Sequence, residues 1–217
     1  MSSTPPTFTW AKLNEAPEAP GVYAWYVRLF LGEADLRSFE RSVTEQRQRG
    51  ASGGRPDLVA SDMLERHFFH PFQETAYKVR LDGPLKPKYR GQLEHEPSSS
   101  EQLVERLVEN PSRLRQIAGV LHQAAPFFTA PLYIGMATNL RTRLLKHKSL
   151  INDFADYPGS LGSDEGSAGF ARQVVARGFN PTQLFVACIP IEGIEQQEQV
   201  DLENILNRIN FPIFGRN

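Results

Sequence analysis

The sequence predicts an α+β protein, on three observations. Three short apolar runs bounded by turn-forming residues read as strands: "GVYAWYVRLF" from Gly21, "PLYIG" from Pro131 and "PTQLFVACIPI" from Pro181. Much of the chain between and beyond them repeats its apolar residues at helical spacing. The 217 residues, 40% of them apolar, suffice for one well-buried core, in one domain or a domain with a large insertion.

After a proline-bearing start that is expected to be mobile, "APEAPG" turns the chain into the first strand, where Tyr23, Trp25 and Val27 share one face. Residues 33 to 49 read as a polar helix, broken by the glycines and proline of "RGASGGRP". That loop lacks the Gly-Lys-Ser/Thr ending of a phosphate-binding P-loop. A helix over 58 to 69 ends in "RHFFH", where His67 and His70 have no third ligand at recognisable spacing and read as surface or packed histidines. "TAYKVRLDGPLKPKYRGQL" alternates around Asp-Gly-Pro and predicts two strands or an extended loop, with Tyr77 and Tyr89 interleaved among the cations of the most basic stretch. Serine caps and acidic residues open a helix in "PSSSEQLVERLVEN", and Pro111 opens a second in "PSRLRQIAGVLHQAA". After "PLYIG" the spacing predicts a helix from near Asn139, then a flexible loop in "YPGSLGSDEGSAG", then a short helix closed by Gly178. The last helix, in "EQVDLENILNRINFP", sets Leu202, Ile205, Leu206 and Ile209 at core spacing, with Glu203 at the edge of that stripe.

The formal net charge of −1 gives no global positive field, so any contact with nucleic acid has to come from local clusters. The single Cys188 lies in an apolar strand and is expected to serve as a small hydrophobe. No apolar run approaches a membrane span, and "MSSTPPTFTW" has neither a basic start nor an apolar signal core, so the expected location is cytoplasmic with no membrane partner.

The helix near Asn139 raises a physical question. At about 100° per residue Leu140, Leu144 and Ile151 form one stripe, and Arg143 and His147 fall inside it. Burying an unpaired charge is costly, so this pair requires an internal carboxylate or an anion arriving from outside. Five markers answer together. They are "GVY" at 21–23; "YIG" at 133–135; Arg143 and His147, ten and fourteen positions after Tyr133; "ARQVVARGF" before the third strand; and Glu203 followed by Pro212 and Asn217.

In that order they resemble the GIY-YIG nuclease superfamily. The resemblance implies a small antiparallel three-stranded sheet flanked by helices, with the two tyrosines side by side. Pairing "GVYAW" against "PLYIG" agrees, because it can place both hydroxyls on one face. The expected organisation is a single nuclease domain over 1–217. Its core is 18–29 and 131–217, and 30–130 is a mainly helical insertion expected to recognise substrate. Family signatures usually lie close together, whereas about a hundred residues separate them here.

The implied activity is metal-dependent hydrolysis of DNA phosphodiester bonds by an endonuclease resembling the restriction enzymes of the family. Tyr23, Tyr133, Arg143, His147, Glu203 and Asn217 are the implied catalytic set. Such chemistry needs a planar cation for phosphate, which Arg143 offers, and a base near the attacking water, for which Tyr23, Tyr133 and His147 are candidates. Glu203 is the implied ligand of Mg²⁺ or Mn²⁺, and Asn217 would order the metal's water or the glutamate. Met136 stands where family members often carry Lys, Arg or Ser. DNA contacts are expected from Lys86, Lys88 and Arg90, and from Arg141 and Lys146 beside the active-site helix, with a solvated hairpin as the alternative for the first three. One site per chain favours a homodimer or sequential nicking. The alternatives are an idle DNA-binding or protein-interaction module, a repair or structure-specific nuclease, and a purely structural Arg143–Glu203 ion pair.

Overall fold

The computed structural model describes residues 5–74, 76–81, 89–157, 165–191, 193 and 196–214. In chain order the strands are β1 (Thr7–Thr9), β2 (Gly21–Val27), β3 (Tyr77–Leu81), β4 (Tyr89–Leu93), β5 (Tyr133–Ala137) and β6 (Leu184–Pro190). The helices are α1 (Glu33–Arg49), α2 (Pro56–Leu64), α3 (Glu101–Glu109), α4 (Arg113–Phe128), α5 (Leu140–Asp156), α6 (Glu165–Ala176) and α7 (Gln196–Asn210). The protein is α+β. It divides into two compact units, Met1–Phe30 with Val120–Asn217, and Leu31–Gly119.

The first unit holds an antiparallel sheet in the order β1-β6-β2-β5. It has four strands where the sequence suggests three. The fourth, β1, comes from the start that was expected to be mobile: Thr7 pairs with Ala187 and Thr9 with Phe185. A three-residue edge strand is too short to show alternation, which is why periodicity misses it. The 3₁₀ turn that follows, Trp10–Glu15, buries Leu13 and brings the Trp10 ring to 6.3 Å from Trp25.

Register sorts the sheet into faces, because residues directly opposite each other point the same way. Tyr23 lies opposite Cys188 and Gly135, and Trp25 lies opposite Val186 and Tyr133. This face carries the tyrosines, and α5 and α6 pack on it through His147 and Phe170, whose rings lie 5.2 Å apart. Cys188 is buried there, and burial pushes its thiol up to about 12, as suits a small hydrophobe.

The second unit packs α1, α2 and α3 together, with Leu36, Phe39, Val43, Leu64 and Leu107 buried. Arg47 donates to the last carbonyls of α3, Val108 O and Glu109 O, and Arg115 pairs with Glu33 and Glu40 of α1. β3 and β4 form a separate two-stranded ribbon. Among the described residues no helix is long and apolar enough to cross a membrane.

One residue past the end of α7 lies Phe211, at φ 45° and 74% exposed, whose N–H donates to Asn207 O. A bulky residue in the left-handed region is strained, and glycine is the favoured residue one step past a helix end. Phe211→Gly is therefore expected to stabilise the fold by about 1 kcal/mol, read as a higher melting temperature.

Candidate active site

The site forms where β2, β5 and α5 meet, and two glycines set the spacing. A Cβ on Gly135 would lie 2.6 Å from Tyr23 Oη and 2.9 Å from Tyr133 Cε1, so the last residue of "YIG" is glycine because both rings close over its backbone. A Cβ on Gly21 would lie 2.4 Å from Ile189 O, so the first residue of "GVY" is glycine because β6 passes close beside it. The tyrosines sit diagonally across the β2–β5 pair, with ring centroids 6.2 Å apart.

α5 is fixed at its start. The Asn139 side chain accepts from Thr142 N at 2.9 Å, and the backbone N–H groups of Leu140 and Arg141 donate to Ala19 O and Pro17 O. That anchoring aims Leu140, Leu144, His147, Ile151 and Phe154 at the sheet, and all five are buried. His147 lies beneath the tyrosines with its Nε2 2.9 Å from Tyr23 Oη, boxed by Trp25, Tyr133 and Phe170. Arg143, one turn earlier, donates from Nε to Tyr23 Oη at 3.2 Å and also hydrogen-bonds Tyr133.

This network fixes protonation. Burial, reinforced by the nearby tyrosine, lifts the Tyr23 hydroxyl well above its ordinary pKa against the pull of Arg143, and the Glu203 carboxylate adds to the lift. Burial pushes His147 down to about 3, helped by the Arg143 and Lys146 charges. Burial also works against the Arg143 charge, but Tyr23 and Tyr133 outweigh it and hold its pKa above the usual value. Since Tyr23 Oη accepts from Arg143, its own proton is best donated to His147 Nε2, which places the imidazole hydrogen on Nδ1. That nitrogen has no hydrogen-bond partner among the described residues.

Beside the network lies an open depression of about 390 Å³, lined by Met136, Ala137, Thr138, Asn139, Thr142, Arg143 and Lys146. Arg143 thus belongs to both the wall and the network. Tyr23, Tyr133 and His147 do not line the depression, and His147 is 0% exposed, so it cannot itself approach a water. Glu203 is half-buried on α7, near enough to act on Tyr23 by charge.

The other expected residues fare unequally. Arg141 Nε donates to Ala16 O at 2.7 Å and its guanidinium pairs with Glu18, so it braces the turn before β2 and is absent from the depression's wall. Arg90 is exposed on β4. Asn217, Lys86 and Lys88 lie outside the described residues. Sequence reasoning missed Phe170 and Trp25 as the box around His147, and Thr142 as a donor on the wall. Phe170 had a signal, as the first large apolar residue of the helix that packs on α5.

Because the folded state holds His147 neutral down to about pH 3, the unfolded chain takes up a proton near pH 6.5 that the folded chain refuses. Stability from this residue is therefore complete above about pH 6.5 and falls with acidification, by up to about 1.4 kcal/mol per pH unit. Urea unfolding between pH 7 and 4 should show that slope, and His147→Gln should flatten it.

Compared with known proteins, the chain matches no family model, no curated protein and no solved structure.

Proposed function

We propose that the chain is a metal-dependent DNA endonuclease of the GIY-YIG type, a restriction or defence enzyme that hydrolyses phosphodiester bonds. The observation that carries this reading is the Tyr23 hydroxyl held between the Arg143 guanidinium and the His147 ring, with Arg143 also walling an open depression. A phosphate in that depression competes with the tyrosine hydroxyls for Arg143, and a guanidinium binds an anionic oxygen more strongly than a phenol.

Tyr23 is closed to water in the unliganded fold, so this step needs Arg143, on moving to a nonbridging oxygen, to uncover Tyr23 Oη; a Tyr23 lone pair is then released to the attacking water. As the water oxygen bonds to phosphorus, its proton passes to Tyr23 Oη and the Tyr23 proton passes to His147 Nε2. The P–O bond to the leaving oxygen then breaks. Substrate binding also favours the second transfer: phosphate neutralises the Arg143 charge that, after burial, is the next cause depressing His147.

Among the described residues no three His, Cys, Asp or Glu side chains are grouped to hold a metal ion. A hard cation that keeps several waters needs only one or two carboxylates plus substrate phosphates, and half-buried Glu203, within electrostatic reach of Tyr23, fits that pattern. Glu203 would hold one Mg²⁺ or Mn²⁺, whose chemistry when bound is charge neutralisation at the leaving oxygen.

A second reading is favoured by a different observation. Tyr23 is 1% exposed and His147 0%, which also suits an idle module in which the network is only a core clamp. Plasmid and phage DNA incubated with the protein and Mg²⁺ or Mn²⁺, followed by sequencing of the ends, separates the two. Defined ends support the nuclease, and intact DNA under both metals supports the clamp. Glu203→Ala should abolish cleavage while folding and DNA binding persist, and wild-type activity would remove Glu203 from the metal site. Arg143→Ala should cost about 3 kcal/mol of transition-state stabilisation, measured as kcat/KM.

A further inference from the structure

The β3–β4 ribbon sorts its side chains by chemistry. One face carries Tyr77 opposite Leu93 and Val79 opposite Gly91, with Tyr89 on the same side. The other carries Lys78 opposite Gln92 and Arg80 opposite Arg90: three cations and an amide on two five-residue strands, with no carboxylate among them. All four of these side chains are exposed.

The ribbon springs from a tied base. Glu74 N donates to His95 Nδ1 at 3.2 Å, Gln73 Nε2 donates to His95 O at 3.2 Å, and Tyr77 Oη donates to Glu74 Oε2 at 2.8 Å. The first two bonds join the segments flanking the two strands, and the third ties the start of β3 to the same base.

A partner for this face must be anionic and must offer paired acceptors to planar donors. Duplex DNA does both. Its major groove, about 12 Å wide, admits a two-stranded ribbon, and its guanine O6/N7 edge takes a guanidinium in bidentate fashion while adenine N6/N7 takes an amide. The RNA major groove is too narrow for side chains to read. We propose that the β3–β4 ribbon lies in the DNA major groove, with Arg80, Arg90 and Gln92 on base edges and Lys78 on the backbone, and is the sequence-reading element of the endonuclease. The proposal rests on the DNA endonuclease reading above and adds to it the element that chooses the site.

The test selects bound duplexes from a randomised library with the full chain carrying Glu203→Ala, in Mg²⁺. The ribbon as it stands should select a motif containing guanine. Arg80→Gln and Arg90→Gln should each lower preference at one or two base pairs by about ten- to a hundredfold. Arg80→Lys and Arg90→Lys keep the charge but lose the fork, so total affinity and salt slope should stay while guanine preference falls. Leu93→Ser, on the opposite face, should leave the motif intact. An unchanged motif in all the arginine variants would overturn the proposal. So would equal weakening on every sequence with a salt slope lower by about 0.9 per arginine, which marks phosphate contact only. Failure to bind any duplex would take the endonuclease reading down with it, whereas an unchanged motif removes the ribbon's role alone.

Discussion

A phenol buried between a guanidinium and an imidazole is the constraint on which this site depends. Tyr23 Oη is within hydrogen-bonding distance of Arg143 Nε and His147 Nε2 while its residue is 1% exposed. A buried hydroxyl is tolerated only when its hydrogen bonds are made, and a half-buried guanidinium is favoured when something meets its charge. Each group supplies what another lacks. Tyr23 and Tyr133 meet Arg143, Arg143 leaves the Tyr23 proton for His147, and His147 stays neutral because burial penalises its charged form. An arriving anion would compete for the member of this set that also walls the depression.

The backbone serves that spacing. Gly21 lets β6 pass close to β2, and Gly135 lets both tyrosine rings lie over β5, so these two glycines follow from steric limits. The start of α5 is tied to the turn before β2 through backbone bonds to Ala19 and Pro17 and through the Arg141 side chain. A cation that looked suited to DNA is thereby used to hold the helix carrying Arg143 and His147 at a fixed height above the sheet.

Much of this was legible in the residues and some was not. The strands β2 and β5 followed from alternation and short apolar length, their pairing was what the resemblance implied, and the placement of Arg143 and His147 on the core side of α5 followed from helical spacing. The depth of His147 did not follow, because periodicity gives a face and not a distance from solvent. Nor did β1, whose three residues carry no period, or the strained position just past α7, where Phe211 occupies a conformation its residue type disfavours.

In the proposed hydrolysis the Tyr23 hydroxyl carries a proton and does more than pin Arg143. Single-turnover cleavage by Tyr23→Phe, under Mg²⁺ and with enzyme in excess, tests it most directly, since the substitution deletes one oxygen and keeps the ring against Gly135. A rate lower by about a thousandfold, in a protein that still folds and binds DNA, is the predicted result. Cleavage at the wild-type rate would contradict it and leave the hydroxyl a structural clamp.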